Sequence, residues 1–230
     1  MKTVNECQVY TTLAEIADPE HTALLVVDMQ NDYIARGGAS DKAGRRDTSA
    51  FKSVIAQTKC TIEAARQAKV PVVYIQNTWL PNHRSVSGAW LRFIERSGFL
   101  EGASVTVDGT WGHRIVDELA PRPEDIIVKK WRASAFIGTN LDLVLRCNRI
   151  ESVVVTGVVT QGCVESTARD AAFLDYYVVV LGDCVQSTRQ DLHEASLQVM
   201  AARFDVVDSD EVLRVWLSQP VSLPAREEVV

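Results

Sequence analysis

Apolar and polar positions alternate in blocks along most of the chain. TALLVVDM (22–29) is a continuous apolar, β-rich run. SAFKSVIAQTKCTIEAARQAKV (49–70) instead spaces Phe51, Val54, Ile55, Ile62 and Ala65 at helical intervals. PVVYIQN (71–77), DIIVKK (125–130), SVVVTG (152–157), YYVVVLGD (176–183) and FDVVDS (204–209) read as five more strands. Helical patterns separate them at 139–148, 163–175 and 188–203. SDEVLRVWLS closes the series, with Ser209 in the N-cap position. Uninterrupted Val/Ile runs imply strands buried on both faces, as in a parallel sheet covered by helices. The expected fold is therefore α/β: a three-layer α/β/α domain around a six-stranded, mainly parallel sheet. It is read as one domain over 1–230 with its core at about 22–215.

Residues 79–121 break the alternation. They hold Trp79, Trp90, Trp111, Phe93 and Phe99, and a short helix is expected around GAWLRFIER. A long excursion from a compact domain is either part of a binding site or a satellite core or subunit contact.

Composition narrows the function. The chain has 230 residues, a net charge of −6 and a pI near 5.3. No basic stripe marks a nucleic-acid partner. The N-terminus, MKTVNECQVYTTLAEIADPE, lacks the apolar core of a signal peptide. No run approaches the roughly 18–20 apolar residues of a membrane span. These features lead to the expectation of a cytoplasmic protein with no membrane partner. Cys7, Cys60, Cys147, Cys163 and Cys184 form no CxxC pair, so neither a zinc site of that type nor a disulfide framework is expected.

Parallel α/β sheets bind ligands beyond the carboxyl ends of their strands. Asp28 ends the first strand, Lys129 and Lys130 end the third, and Cys163 follows the fourth where a helix begins. A cysteine at a helix start is biased toward thiolate, and free N–H groups there can hold an oxyanion. Asp28, set against an apolar strand, needs a partner. Strand residues alternate faces, so only one of the two lysines can point into such a site. Each residue also has an ordinary reading: a buried thiol, a solvated strand-end lysine, a turn aspartate. His21 precedes the first strand, and His113 and His193 lie in helical or loop context. His83 lies near one, but a lone histidine is most often a polar surface residue.

VVDMQNDY, KWRASAF and TGVVTQGCVEST, in this order, resemble the isochorismatase-like cysteine hydrolases over about 22–215. The resemblance implies a triad of Asp28, Lys130 and Cys163, with Lys130 favoured because it stands four residues before Ser134. It also implies a cis Val158–Val159 peptide and an oxyanion hole from the amides of Val159 and Cys163. Relatives that hydrolyse the vinyl ether of isochorismate lack the cysteine. Nicotinamidases carry an Asp-x-His metal motif where this chain has Asn77 and Trp79, so no metal and no cofactor are expected.

DMQNDY with a following Gly-Gly pair, QNTW, the stretch from Trp111 to Leu119, and CVESTARDAAFL are similar to ureidoacrylate amidohydrolases and related ureide hydrolases. That likeness implies a pocket formed by Asn77, Trp79, Tyr33 and Gln161, although Ala133 replaces an aromatic residue common before the serine. The implied activity is cysteine-dependent hydrolysis of a non-peptide C–N bond in a small ureido, carbamoyl or amide substrate. The implied assembly is a homo-oligomer, a dimer or tetramer. Two alternatives stay open: an ester or vinyl-ether hydrolase, and a non-enzymatic binding protein on the same fold.

Overall fold

The computed structural model describes residues 1–42, 50–96 and 104–218. Phe99, assigned above to the excursion, lies outside them. The chain starts with a hairpin, β1 (Lys2–Val4) and β2 (Cys7–Val9), turned at Asn5 and Glu6, both with positive φ. Helix α1 (Leu13–Ile16) follows, closed by a capping box between Thr12 and Glu15.

The main sheet begins at β3 (Thr22–Val27). Short helices α2 (Asn31–Ile34) and α3 (Ala39–Lys42) precede the long α4 (Ala50–Gln67), which returns the chain to β4 (Val72–Asn77). Helix α5 (Gly88–Arg96) lies in the excursion before β5 (Ile126–Lys130). Then come α6 (Leu141–Cys147), β6 (Ser152–Val158), a π turn over Thr160–Val164, α7 (Glu165–Phe173), β7 (Tyr177–Gln186), α8 (Gln190–Ala201), β8 (Asp205–Val207) and α9 (Ser209–Ser218).

All pairings in the six-stranded sheet are parallel, in the order β5-β4-β3-β6-β7-β8. The alternation of strand side chains divides the interior in two. Leu24, Val26, Tyr74 and Val154 pack with Phe51 and Ile62 of α4 and with Val212 and Trp216 of α9. Leu25, Val27, Ile75 and Val155 pack on the other face with Leu141 and Leu145 of α6, Ala168 and Ala171 of α7, and Met200 of α8. The six expected strands and three layers are present. Strand β5 departs from the double-sided burial read for the others. It alternates from Ile127 onward, with Ile127 and Lys129 exposed and Val128 and Lys130 buried.

Strand order reverses between β3 and β6, and this is where a crevice opens at the carboxyl ends. The two strands come close there. Val27 pairs with Gly157, and Gly157 has φ +114°, where a Cβ would stand 2.0 Å from the Val27 carbonyl oxygen. Only glycine fits both the conformation and the space.

The excursion is both of the things its sequence allowed. Trp79 and Val105 form a small satellite core with Val86, Ile94 and Val107, and α5 reaches over the crevice. His113, read as loop or helical, is buried. It binds the Thr78 hydroxyl at 2.9 Å and lies 3.6 Å from Asp108, tying the excursion to the end of β4.

Candidate active site

Asp28 directly follows β3 and is buried, with φ +54°. Aspartate tolerates this left-handed conformation better than most residues. One carboxylate oxygen, Oδ1, accepts the Asn77 backbone N–H at 3.0 Å. The other, Oδ2, lies 2.8 Å from Lys130 Nζ. That contact is an ion pair without hydrogen-bond alignment, and Oδ2 has no aligned hydrogen bond to any described residue.

Lys130 ends β5, two strands from Asp28, and is fully buried. Its ammonium spans β4 and also donates to Cys163 Sγ at 3.2 Å and to the Arg132 carbonyl at 2.9 Å. Its neighbour Lys129 points out of the sheet to Asp108, at 2.8 Å from both carboxylate oxygens. Alternation along one strand thus gives the two lysines different fates.

Cys163 lies in the π turn that joins β6 to α7, two residues before α7 begins. Thr160, at the start of this turn, is held by His193 of α8 through a 2.7 Å hydrogen bond. The Val158–Val159 peptide is cis.

The charges of the three groups are coupled. Burial pushes the Asp28 carboxyl above its ordinary value, against the pull of Lys130, the thiol and the Asn77 amide. Burial alone would lower Lys130, but the Asp28 and Cys163 charges outweigh it and raise the ammonium. Burial, and then the nearby Asp28 carboxylate, push the Cys163 thiol up to about 12 despite Lys130. The carboxyl and the thiol are thus both pushed toward their protonated forms by burial, and the ammonium is held charged by its two neighbours. Burial beside an anion opposes the bias toward thiolate that a helix start and a lysine give.

These residues open on a cavity of about 180 Å³. Tyr33, Asn77, Gln161 and Ala133 line it, along with Trp90, Phe93 and Ile94 of α5, Arg132 and Leu192. Asn77 is tied by its side chain to the Tyr33 and Thr106 hydroxyls. Gln161 Oε1 is buried without a partner.

Trp79, expected in the pocket, is not among the lining residues. It turns into the satellite core, 2% exposed, because the excursion supplies an apolar seat for so large a ring. The aromatic wall comes instead from Trp90 and Phe93, which the sequence reading left within the excursion. The periodicity of GAWLRFIER was the available signal. Arg132 was also passed over, although it stands in KWRASAF. His83 binds Ser104 at 3.2 Å, away from the lining. Among the described residues, no three His, Cys, Asp or Glu side chains gather as a metal-binding group.

Residues 22–211 match the isochorismatase domain model, and the chain belongs to the isochorismatase family. Within it, the chain is 42% identical over 182 residues to the ureidoacrylate amidohydrolase RutB of Agrobacterium fabrum, covering 75% of this chain and 79% of that one. It is 42% identical over 217 residues to the protein of the same name from Pseudomonas syringae pv. syringae, covering 90% and 87%. Among solved structures, a cysteine hydrolase from Pseudomonas syringae pv. phaseolicola superposes with a TM-score of 0.76 at 26% identity, covering 87% of this chain and 94% of the other. N-carbamoylsarcosine amidase from Thermoplasma acidophilum gives 0.66 at 29% identity, with 83% and 97% covered.

Proposed function

We propose that this protein is a cysteine-dependent amidohydrolase that cleaves a non-peptide C–N bond of a small ureido, carbamoyl or amide substrate. The observation that carries this reading is the convergence of Asp28, Lys130 and Cys163 on one cavity, with Lys130 Nζ 2.8 Å from the carboxylate and 3.2 Å from the sulfur. The names and folds of the relatives point the same way.

In this reading Asp28 Oδ2 takes the thiol proton as the sulfur attacks the carbonyl carbon. Lys130 holds the two groups together and offsets the negative charge as it moves from oxygen to sulfur. The amides of Val159 and Cys163 receive the tetrahedral oxyanion. Asp28 returns the proton to the departing ammonia or amine, leaving a thioester-type acyl-enzyme. Asp28 then takes a proton from water, which attacks the acyl carbon and releases the thiol. Gln161 Oε1, unpartnered in the cavity wall, offers an acceptor to the N–H groups of such a substrate. Asn77 and Tyr33 belong to the same pocket.

The reading extends to a single catalytic domain in the cytoplasm, without metal or cofactor, working as a dimer or tetramer. Phe173, 78% exposed, with Leu143 and Ile137, offers apolar surface for such an assembly. Light scattering in solution tests this point.

The test of function is ammonia release from a panel of small ureides and linear amides, with Cys163→Ala as control. Turnover by the wild type alone is expected. Cleavage of esters without any ammonia release, or equal rates in both proteins, would overturn the proposal.

A further inference from the structure

In a parallel pair the bonds run to and fro between the strands. The Asp28 N–H donates to the Ile75 carbonyl at 2.9 Å, so the next bond of β3 and β4 would run from the Asn77 N–H to the Asp28 carbonyl. That bond is not made. Asp28 turns the chain out of the sheet at φ +54°, and its carbonyl accepts the Gln30 N–H at 2.7 Å instead. The Asn77 peptide, at the end of β4, is left to side chains.

Gln30 answers it. The residue is fully buried. Its Oε1 accepts the Asn77 N–H at 2.8 Å, and its Nε2 donates to the Asn77 carbonyl at 3.0 Å and to the His113 carbonyl at 2.7 Å. A reversed amide would set N–H against N–H and oxygen against two carbonyls, so the partners fix its orientation. The same Asn77 N–H lies 3.0 Å from Asp28 Oδ1. One donor is thus shared between Asp28 and a neutral amide. Gln30 does not line the cavity, and the mechanism above does not use it.

We propose that Gln30 is a positioning residue that acts on Asp28 through the Asn77 peptide: it takes part of an N–H that would otherwise go wholly to the carboxylate, and so keeps Asp28 basic enough to accept the thiol proton. This rests on the amidohydrolase reading and adds to it the group that tunes its base. A carboxylate loses proton affinity as the N–H bonds it accepts strengthen, and a divided N–H gives each acceptor less than a whole one. The other groups facing Asp28 are Lys130 of β5, Cys163 of the π turn and Tyr33 of α2, whose charges are coupled to it. All three line the cavity. Gln30 is neutral and stands outside it, so it adjusts the base without touching a reacting atom.

The first test needs no substitution. In isotope-labelled wild type, the Asn77 backbone amide and the Gln30 side-chain amide should shift together as the Asp28 carboxyl titrates, all followed by NMR. A Gln30 amide that stays still through that titration would overturn the proposal. The second test compares Gln30→Met with Gln76→Met. Gln76 donates to the same His113 carbonyl, at 3.2 Å, and has no side-chain bond to Asn77 or Asp28 among the described residues. In Gln30→Met the Asp28 titration should move to lower pH, and the acid limb of kcat/KM with it. There kcat should fall about tenfold, as for a weakened base, with KM within about twofold of wild type. Gln76→Met should show neither shift. An unmoved Asp28 titration in Gln30→Met, or equal shifts in both variants, would reduce Gln30 to a brace for the excursion and overturn the assignment. If Gln30→Met does not fold, the wild-type titration decides alone. A lowered Asp28 titration in Gln30→Met, with no ammonia released by the wild type, would sustain the link from Gln30 to Asp28 and overturn the amidohydrolase reading instead.

Discussion

Cys163 and Cys184 are a matched pair with different surroundings. Burial pushes both thiols up to about 12, and each has an aspartate close by. Cys184 lies in β7, fully buried, with its sulfur 3.6 Å from the Thr61 hydroxyl. The aspartate beside it, Asp183, is already satisfied: it accepts the Ser209 N–H at 2.9 Å, the Ser209 hydroxyl at 2.6 Å and Gln57 Nε2 at 3.2 Å, fixing the start of α9. Cys163 differs in three respects. Its aspartate keeps one oxygen without an aligned hydrogen bond, a buried ammonium touches its sulfur, and a cavity opens at it. A raised thiol pKa therefore does not separate a nucleophile from a packing residue. What sets Cys163 apart is an ion-paired carboxylate oxygen with no aligned hydrogen bond, a buried ammonium at the sulfur, and access from the cavity.

The comparison breaks most directly at the sulfurs. Cys163→Ala is expected to lower kcat on the order of 10⁴-fold or more, since it removes the sulfur proposed to form the acyl-enzyme. Cys184→Ala should keep near-wild-type kcat and lose roughly 1 kcal/mol of stability by denaturant titration, as for a typical buried substitution. Comparable turnover in the two variants would erase the distinction.

The lysines give the next effect. Lys130→Ala should reduce kcat on the order of 10²–10⁴-fold, the usual range for a lost proton-transfer partner. Lys129→Ala, which breaks only an exposed pair with Asp108, should stay within about twofold. A larger loss at Lys129 than at Lys130 would reverse the assignment.

A smaller effect is the pH profile. In the proposed mechanism Asp28 must be ionised to accept the thiol proton, and its carboxyl is raised, so the acid limb of kcat/KM should lie above the ordinary carboxylate value of about 4. The apparent value belongs to the coupled triad rather than to Asp28 alone. For stability the sign is opposite to that of an ordinary salt-bridged aspartate. A carboxyl raised by folding contributes fully below its unfolded value, and the contribution is lost as pH rises through the folded one. Asp28→Asn should remove that component, measured as a smaller stability change between acid and neutral pH. An acid limb at or below pH 4 would contradict the raised carboxyl.

The smallest expected effect is that of a chelator. With Asn77 tied to Tyr33 and Thr106, and Trp79 in the satellite core, prolonged EDTA treatment should leave activity unchanged. Loss restored by zinc or manganese would show that a metal acts here.

Much of this arrangement was legible in the residues, for physical reasons. Short β-branched runs such as LLVV and VVV, bounded by turn residues, fit strands buried on both faces, so the sheet could be read to within one or two residues at most ends. The choice of Lys130 came from motif spacing, and alternation explains why Lys129 could not share the site. What escaped depended on contacts distant in sequence. The N-terminal hairpin turns at Asn5 and Glu6, without the glycine that usually signals such a turn. The capping box at Thr12 and Glu15 is a local signal that went unread. Trp79 was placed in the pocket by the resemblance of QNTW to the ureide hydrolases, but Val105 and its neighbours, distant in sequence, offer the ring a dry seat. The thiol's protonation could not be read from position, because it depends on how completely Asp28 and Cys163 are removed from water.

The order of strands also has a consequence for endurance. Asp28 and Cys163 are carried by the central strands β3 and β6, but Lys130 is carried by β5, the five-residue edge strand with one neighbour, whose outward side chains include the exposed Ile127 and Lys129. Edge strands open in local fluctuations at lower free energy than the sheet centre. The ammonium is then the part of the site most easily lost without unfolding the molecule. Hydrogen exchange at β5 should be faster than at β3 and β6, and mild urea should abolish turnover while the central strands stay protected. Activity that survives until global unfolding would mean that the edge is as firmly held as the middle.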